Sequence, residues 1–244
     1  MNSMPPISTS IIRNRQQICR FHGFTTNVEL EQAAVQAILQ AAQSALSQHG
    51  YFRIVLAGGT TPRRVYELLR EQNTDWSTWH VYFGDERCLP PDHAERNSRM
   101  AAQAWLDHVL IPPNQIHVIP AESGAEHAVK LYAQTLAQVD MFDMVLLGLG
   151  EDGHTASLFP GHEWGDAADA PDVLAVSDAP KPPPQRVSLS AIRLEKAHAV
   201  IFLVTGEAKH QAISNWLKGS MIPAAVIAPR NGVDVYLEAG LLEN

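Results

Sequence analysis

Apolar residues fall in short runs separated by longer segments of helical periodicity along the whole chain. The run Val145–Leu147 has no polar alternation, so it predicts a strand buried on both faces of a parallel sheet. Further strands are predicted near Ile18–Phe21 and over 53–57, 80–83, 116–119, 173–176, 187–189, 199–204 and 233–237. Helices are predicted over 27–48, 62–70, 97–110, 125–139 and 207–217; in the second, Val65, Leu68 and Leu69 share the buried face. Strand and helix alternate throughout, which implies an α/β fold, a parallel sheet covered by helices on both faces. No internal repeat or charge block divides the chain, so 1–244 reads as a single domain. The one biased stretch, Pro180-Lys181-Pro182-Pro183-Pro184, is too short for a domain linker and reads as a stiff polyproline connection that places Gln185 and Arg186.

Composition narrows the function classes. Hydrophobic residues make up 45% of the 244 and charged residues 18%, which supplies an ordinary globular core. No apolar run approaches the roughly 18 residues of a membrane span, and the N-terminal segment lacks the long apolar stretch of a secretory leader. Cys19 and Cys88 are the two cysteines; they give no disulfide framework and suit a reducing cytoplasm. The net charge of −8 argues against a nucleic-acid binder. A small anionic ligand remains open, provided that positive charge gathers locally. A monomer is the default expectation for the assembly.

The most telling segment is DMVLLGLGEDGHTASLFPGH, residues 143–162. It delivers Asp152 and His154 together at the carboxyl end of a strand, the edge at which open α/β sheets bind ligands. Acid–base chemistry is the favoured reading. Gly148–Gly153 also fits G-x-G-x-x-G, but a dinucleotide loop opens a long helix, and Phe159-Pro160-Gly161 permits one turn at most. A metal held by Asp152, His154 and His162 matches no zinc spacing and has no thiolate support. Neither metal nor organic cofactor is therefore expected. The bland alternative is a loop whose histidine only hydrogen-bonds its neighbours.

Three strand ends carry features suited to an anion. Leu56-Ala57-Gly58-Gly59-Thr60-Thr61-Pro62 reads as strand, glycine turn and helix start, with Thr61 at the N-cap and Pro62 at the first helical position. The glycines let backbone N–H groups approach a ligand. Arg63 and Arg64 in the first turn, and Lys209 in the first turn of the 207–217 helix, oppose the helix dipole at a cost of about 0.3–1 kcal/mol each. A bound phosphate would offset that cost, although Arg63 and Arg64 are equally compatible with simple solvation. Asp85 and Arg87 end the third strand, with a surface Glu86–Arg87 ion pair as the bland alternative, and Arg186 follows the proline run.

Together these segments resemble the 6-phosphogluconolactonases of the glucosamine-6-phosphate isomerase/lactonase superfamily. The matching stretches are LAGGTTP at 56–62, FGDERCLPPDHAERNSRM at 83–100, LLGLGEDGHTASLFPG at 146–161, PKPPPQRVSLS at 180–190 and TGEAKHQAI at 205–213. They keep the family's order over most of the chain. One departure is Ala57-Gly58-Gly59-Thr60, where the family more often has Ser-Gly-Gly-Ser; Thr60 keeps the hydroxyl. The resemblance implies a three-layer α/β/α sandwich around a mostly parallel, Rossmann-like sheet, and hydrolysis of 6-phospho-D-glucono-1,5-lactone without a cofactor. It places the general base on His154 and the neighbouring motif carboxylate on Asp152. Substrate phosphate contacts fall on Gly58, Gly59, Thr60, Thr61, Arg186 and Lys209, with Arg87 a further expected contact. Asp85, like Asp152, is a candidate to orient the imidazole or the water. A glucosamine-6-phosphate deaminase is the nearest alternative, but it needs a glutamate soon after the histidine, and here no acid precedes Glu163. A non-catalytic sugar-phosphate sensor is the other. It would need an output module, and only about twenty residues are expected before the first strand.

Overall fold

The run around Val145 becomes β7 (Phe142–Gly148), a strand buried along nearly its whole length, and the rest of the fold is arranged around it. The structure, a computed structural model, describes residues 8–14 and 17–243. Part of the N-terminal segment, on which the absence of a leader was expected, lies outside these residues.

In chain order the elements are β1 (Ser8–Asn14), β2 (Gln17–Phe24), α1 (Asn27–His49), β3 (Phe52–Leu56), α2 (Thr60–Leu69), β4 (Trp79–Phe83), β5 (Asp85–Arg87), α3 (Asn97–Ala104), β6 (Ile116–His117), α4 (Ala125–Leu136), β7, β8 (Val173–Val176), β9 (Arg186–Leu189), α5 (Ala191–Leu194), β10 (Ala197–Val204), α6 (His210–Leu217), α7 (Pro223–Val226) and β11 (Val233–Glu238). The main sheet has eight strands in the order β1-β2-β11-β10-β7-β3-β4-β6. Its neighbours pair in parallel, except that β1 folds back antiparallel on β2. This sheet carries the predicted α/β architecture. β1 corrects the expectation that about twenty residues precede the first strand.

Helices cover both faces of the sheet. α1 opens on a capping box, in which the Thr26 hydroxyl accepts from Glu29 N and the Glu29 carboxylate accepts from Thr26 N. It packs on α2, and α2 on α3. On β4, Trp79 joins Tyr66 of α2, Trp76 and Trp105 in an aromatic cluster. Successive side chains alternate across a strand. Tyr82 therefore faces the other way, toward the face on which Trp216 of α6 meets Phe21 and Phe202 edge-on at 5.6 and 4.8 Å.

Two local expectations are corrected. The helix predicted over 97–110 ends at Ala104, because Trp105 leaves helical geometry (φ −146°) to bury its indole completely in the aromatic cluster. The proline run is a bend, not a stiff polyproline rod. The carbonyls of Lys181 and Pro183 curl onto the Arg186 guanidinium at 2.9 and 3.1 Å.

The topology then fixes where a ligand can sit. From β3 the chain moves outward through β4 and β6, returns to β7 on the other side of β3, and continues outward through β10 and β11. The strand order reverses between β3 and β7, so the loops leaving their carboxyl ends part and open a crevice. Beside it, β5, β9 and β8 form a small antiparallel sheet; strands at β8 and β9 were expected, but not the three-residue β5 nor their pairing in a sheet of their own.

Candidate active site

A cleft of about 320 Å³ opens at this crevice, walled by Gly58 and Gly59 after β3, Asp85 beyond β4 and His154 after β7. The loop carrying His154 is closed on itself. Gly150 N donates to the His154 carbonyl at 2.7 Å, and Gly153, in the left-handed region at φ 86°, donates to the Gly150 carbonyl at 3.0 Å. A Cβ on Gly150 would stand 1.9 Å from His154 Nδ1, so the close approach of backbone to imidazole requires glycine there.

Asp152 Oδ1 accepts from the His154 backbone N–H at 3.1 Å and from the ring Nδ1 at 2.5 Å. The ring lies 4.7 Å from that of Phe159. Burial holds the His154 pKa below its ordinary value, opposed by the hydrogen bond and charge of Asp152 and by the charge of Asp85. For Asp152, burial acts upward but is outweighed by the two hydrogen bonds from His154, so its pKa lies below the usual range. The pair at neutral pH is thus a carboxylate and a neutral imidazole. With the proton on Nδ1 directed at Asp152, Nε2 is left as the basic nitrogen.

Asp85 is buried and both its oxygens are held. Oδ1 accepts from Asn97 Nδ2 at 2.9 Å, and Oδ2 accepts from the Ser157 hydroxyl at 2.6 Å. Ser157 follows Ala156, a non-glycine residue at φ 47° whose strained backbone turns the chain from His154 toward Asp85. The Asn97 amide also seals Gly58, where a Cβ would meet Asn97 Oδ1 at 2.0 Å. Asn97 and Ser157 are neighbours of the candidate site that sequence reasoning missed. Both lie inside the quoted motif stretches, but their role depends on a fold that brings β4, α3 and the β7 loop together. The bland alternative, a Glu86–Arg87 surface pair, is overturned. Glu86 is fully buried, accepts from Asn97 N and Ser98 N at 2.8 Å each at the start of α3, and faces Arg96 at 3.3 Å.

The small sheet brings two cations together. Arg87 of β5 and Arg186 of β9 are direct cross-strand partners, an arrangement that like-charge repulsion disfavours unless an anion lies between them. Arg186 is buried beside the Phe159 ring, 5.5 Å away. Burial lowers its pKa; Asp85 opposes that shift and Arg87 adds to it. Lys209 ends the 3-10 turn Glu207–Lys209 that leads into α6, and it too lines the cleft. Burial lowers its pKa, against the charge of Glu151. Lys181 also reaches the cleft wall and was not singled out in the sequence.

The remaining expectations divide. The N-cap of α2 is Gly59 at φ 113°, not Thr61, and no side chain caps this helix. The backbone amides of Thr60 and Thr61 are therefore available at the helix start. Their side chains are not part of the cleft wall: Thr60 is exposed, and the Thr61 hydroxyl pairs with Thr205 at 2.7 Å. Arg63 and Arg64 stand away from the cleft and pair with Glu67, the solvated alternative. His162 pairs with Asp178 at 3.2 Å and does not join Asp152 and His154. Among the described residues no cluster of three His, Cys, Asp or Glu side chains is arranged to hold a metal ion.

Residues 25–236 match the family described as glucosamine-6-phosphate isomerases/6-phosphogluconolactonase. A 6-phosphogluconolactonase of Mycobacterium leprae is 34% identical over 90% of this chain and 94% of its own. One of Rattus norvegicus is 35% identical over 86% of each chain. The solved structure of the 6-phosphogluconolactonase from Trypanosoma brucei superposes with a TM-score of 0.83 at 27% identity, covering 96% of this chain and 99% of that one. Fold and sequence agree: the chain belongs to the glucosamine-6-phosphate isomerase/6-phosphogluconolactonase family.

Proposed function

We infer that the protein hydrolyses 6-phospho-D-glucono-1,5-lactone to 6-phospho-D-gluconate, the lactonase step of the oxidative pentose phosphate pathway. The observation that carries this reading is a neutral His154 hydrogen-bonded to Asp152 in the same cleft as the paired Arg87 and Arg186. A deaminase would need an acid close behind the histidine; the first is Glu163, which is exposed and stands off the cleft wall.

The substrate's phosphate is assigned to Arg87, Arg186 and Lys209, with the backbone N–H groups that follow Gly58 and Gly59 completing its shell. Anchoring at that end holds the lactone carbonyl against a water beside His154 Nε2. A δ-lactone is an activated ester, so removing one proton from water is enough and no covalent nucleophile is required. His154 takes that proton. Asp152 fixes the ring orientation, and Asp152 and Asp85 both favour the imidazolium that forms. The same proton is then given to the ring oxygen as the C1–O5 bond breaks. A single domain acting on a small molecule accounts for all the assigned residues. A cytoplasmic setting suits the free thiols of Cys19 and Cys88.

The test is a pH-stat assay on freshly prepared 6-phosphogluconolactone, corrected for spontaneous hydrolysis. Acid release should be accelerated without added metal or nucleotide, and should persist after exhaustive chelation. Activity lost to a chelator and restored by a divalent ion would overturn the cofactor-free reading. Ammonia released from glucosamine 6-phosphate, with the lactone untouched, would overturn the lactonase reading.

A further inference from the structure

The phosphate has an ample set of cations, yet one more lines the cleft. Lys181 is rooted at a fixed point, because its carbonyl accepts from Arg186 Nη2 at 2.9 Å. Its ammonium is 3.9 Å from Glu151 Oε1, on the residue next to Asp152 in the loop that carries His154. The two side chains are 54% and 57% exposed. A pair so long and so wet holds little energy, so the ammonium is free to exchange Glu151 for another acceptor at small cost.

Its direction is set by its neighbours. Arg87 and Arg186 face each other across the β5–β9 ladder. Lys181 is paired through Glu151 with the loop that carries His154, and its charge opposes protonation of the ring. The water that His154 activates must lie about 3 Å from Nε2 and about 3 Å from the carbonyl carbon it attacks. The attacked carbonyl must therefore lie beside the loop to which Lys181 is paired.

Building on the lactonase reading, we propose that Lys181 is a catalytic residue whose ammonium leaves Glu151 and donates to the lactone carbonyl oxygen as negative charge forms there. The step balances as follows. Water oxygen bonds to C1 while His154 Nε2 takes its proton, and the C1=O π pair moves onto oxygen as an alkoxide facing the Lys181 ammonium. That pair then re-forms the carbonyl, and the C1–O5 bond breaks. O5 takes the proton from His154, leaving a hydroxyl and a carboxylic acid that ionises to solvent. Lys181 ends the cycle with all its protons, ready to return to Glu151.

The test is Lys181→Met, which keeps an unbranched stem and removes the charge at an exposed position, with Lys181→Arg beside it. On 6-phosphogluconolactone, Lys181→Met should lower kcat about 10²-fold, the usual worth of a donor to a developing oxyanion, with KM changed by less than about threefold. Lys181→Arg should recover most of the loss. The acid limb of kcat/KM should move to higher pH in Lys181→Met, since a cation near His154 has gone, and a merely structural role would not move it. Inhibition by glucose 6-phosphate, which offers the phosphate without the lactone carbonyl, should be as strong in Lys181→Met as in the wild type. A raised KM and weakened glucose 6-phosphate inhibition at unchanged kcat would make Lys181 a phosphate ligand and overturn the proposal. An unchanged kcat, KM and pH profile would overturn it as well. Wild-type protein that leaves the lactone unopened would instead overturn the lactonase reading, a result distinct from an active wild type with an unimpaired variant.

Discussion

Burial lowers the pKa of three histidines in this protein, and two of them, His154 and His117, lie in opposite electrostatic settings. His154 faces Asp152 and Asp85, carboxylates that oppose the effect of burial. His117, on the edge strand β6, stacks on Tyr82 at 4.3 Å and on His80 at 5.8 Å. Burial, then the charges of His80 and Arg53, push its pKa down to about 4. Its Nε2 is buried without a hydrogen-bond partner. Both rings are neutral at pH 7, but of the two only His154 has carboxylates nearby that favour its protonated form. A perturbed pKa alone does not mark a catalytic group. The sign of the neighbouring charges separates the two cases, and so does a cleft into which the basic nitrogen opens.

The largest expected effect tests that separation directly. His154→Ala should lower kcat on the phosphorylated lactone about 10²–10⁴-fold, the range of a positioned general base, with KM little changed. His117→Gln should leave kcat and KM at wild-type values. Steady-state rates from the pH-stat assay decide the matter. A His154 variant that kept wild-type kcat would transfer the base to Asp85, and equal losses in both variants would mean that burial, not partner charge, governs the behaviour.

A smaller effect is expected from the cations. At the His117 site the nearby Arg53 is engaged over the Tyr51 ring at 4.4 Å, whereas Arg186 and Lys209 line the open cleft. A charge-assisted hydrogen bond to phosphate is worth roughly 1.5–3 kcal/mol. Arg186→Met or Lys209→Met should therefore cost about ten- to a hundredfold in kcat/KM on the phosphorylated lactone. Activity on unphosphorylated gluconolactone should barely change. Equal fractional losses on both substrates would place the residue at the lactone carbonyl and not at the phosphate.

The contrast between the two sheets shows why parts of this site were legible in the sequence and others were not. The main sheet writes itself in apolar runs of five to eight residues, long enough for a burial pattern, as β3, β7 and β10 illustrate. The loop after β7 joins Asp152 to His154 through local spacing alone, so that pair was readable. The small sheet is a different matter. β5 and β9 have three and four residues, and β9 buries Arg186 and Ser188 beside Val187 and Leu189. β8 and β9 were expected as strands, but no period in segments this short shows that they pair with β5 in a sheet of their own. Arg186 was found through the motif and the proline run before it, but its pairing with Arg87 is a matter of register between segments about a hundred residues apart. Asn97 and Ser157 were hidden for the same reason, since each is tied to the candidate site by a hydrogen bond to Asp85, which lies on a third segment. The misplaced cap of α2 has a local cause: Gly59 adopts φ 113°, which lets the helix start two residues before the proline.

The smallest effect concerns stability and not rate, and it follows from the other histidine. In the folded protein His117 has a pKa of about 4 against an ordinary value of 6.5. Folding therefore favours its neutral form. The stability linked to this group is complete above pH 6.5 and is lost as pH falls from 6.5 toward 4, because the unfolded chain binds a proton there that the folded protein refuses. The ring is only partly buried, so solvent screening reduces the contribution to about 1 kcal/mol. His80, whose pKa is also lowered, first by burial and then by Arg53, adds in the same direction. His117→Gln removes the titrating group, so the difference in Tm between pH 7.5 and pH 4.5 should shrink by a few degrees relative to wild type, with activity at pH 7.5 unaltered. Thermal unfolding at the two pH values measures this. An acid limb unchanged in the variant would show that His117 already takes up its proton in the fold, and would place the acid sensitivity at the cleft, where the depressed pKa of His154 acts in the same sense.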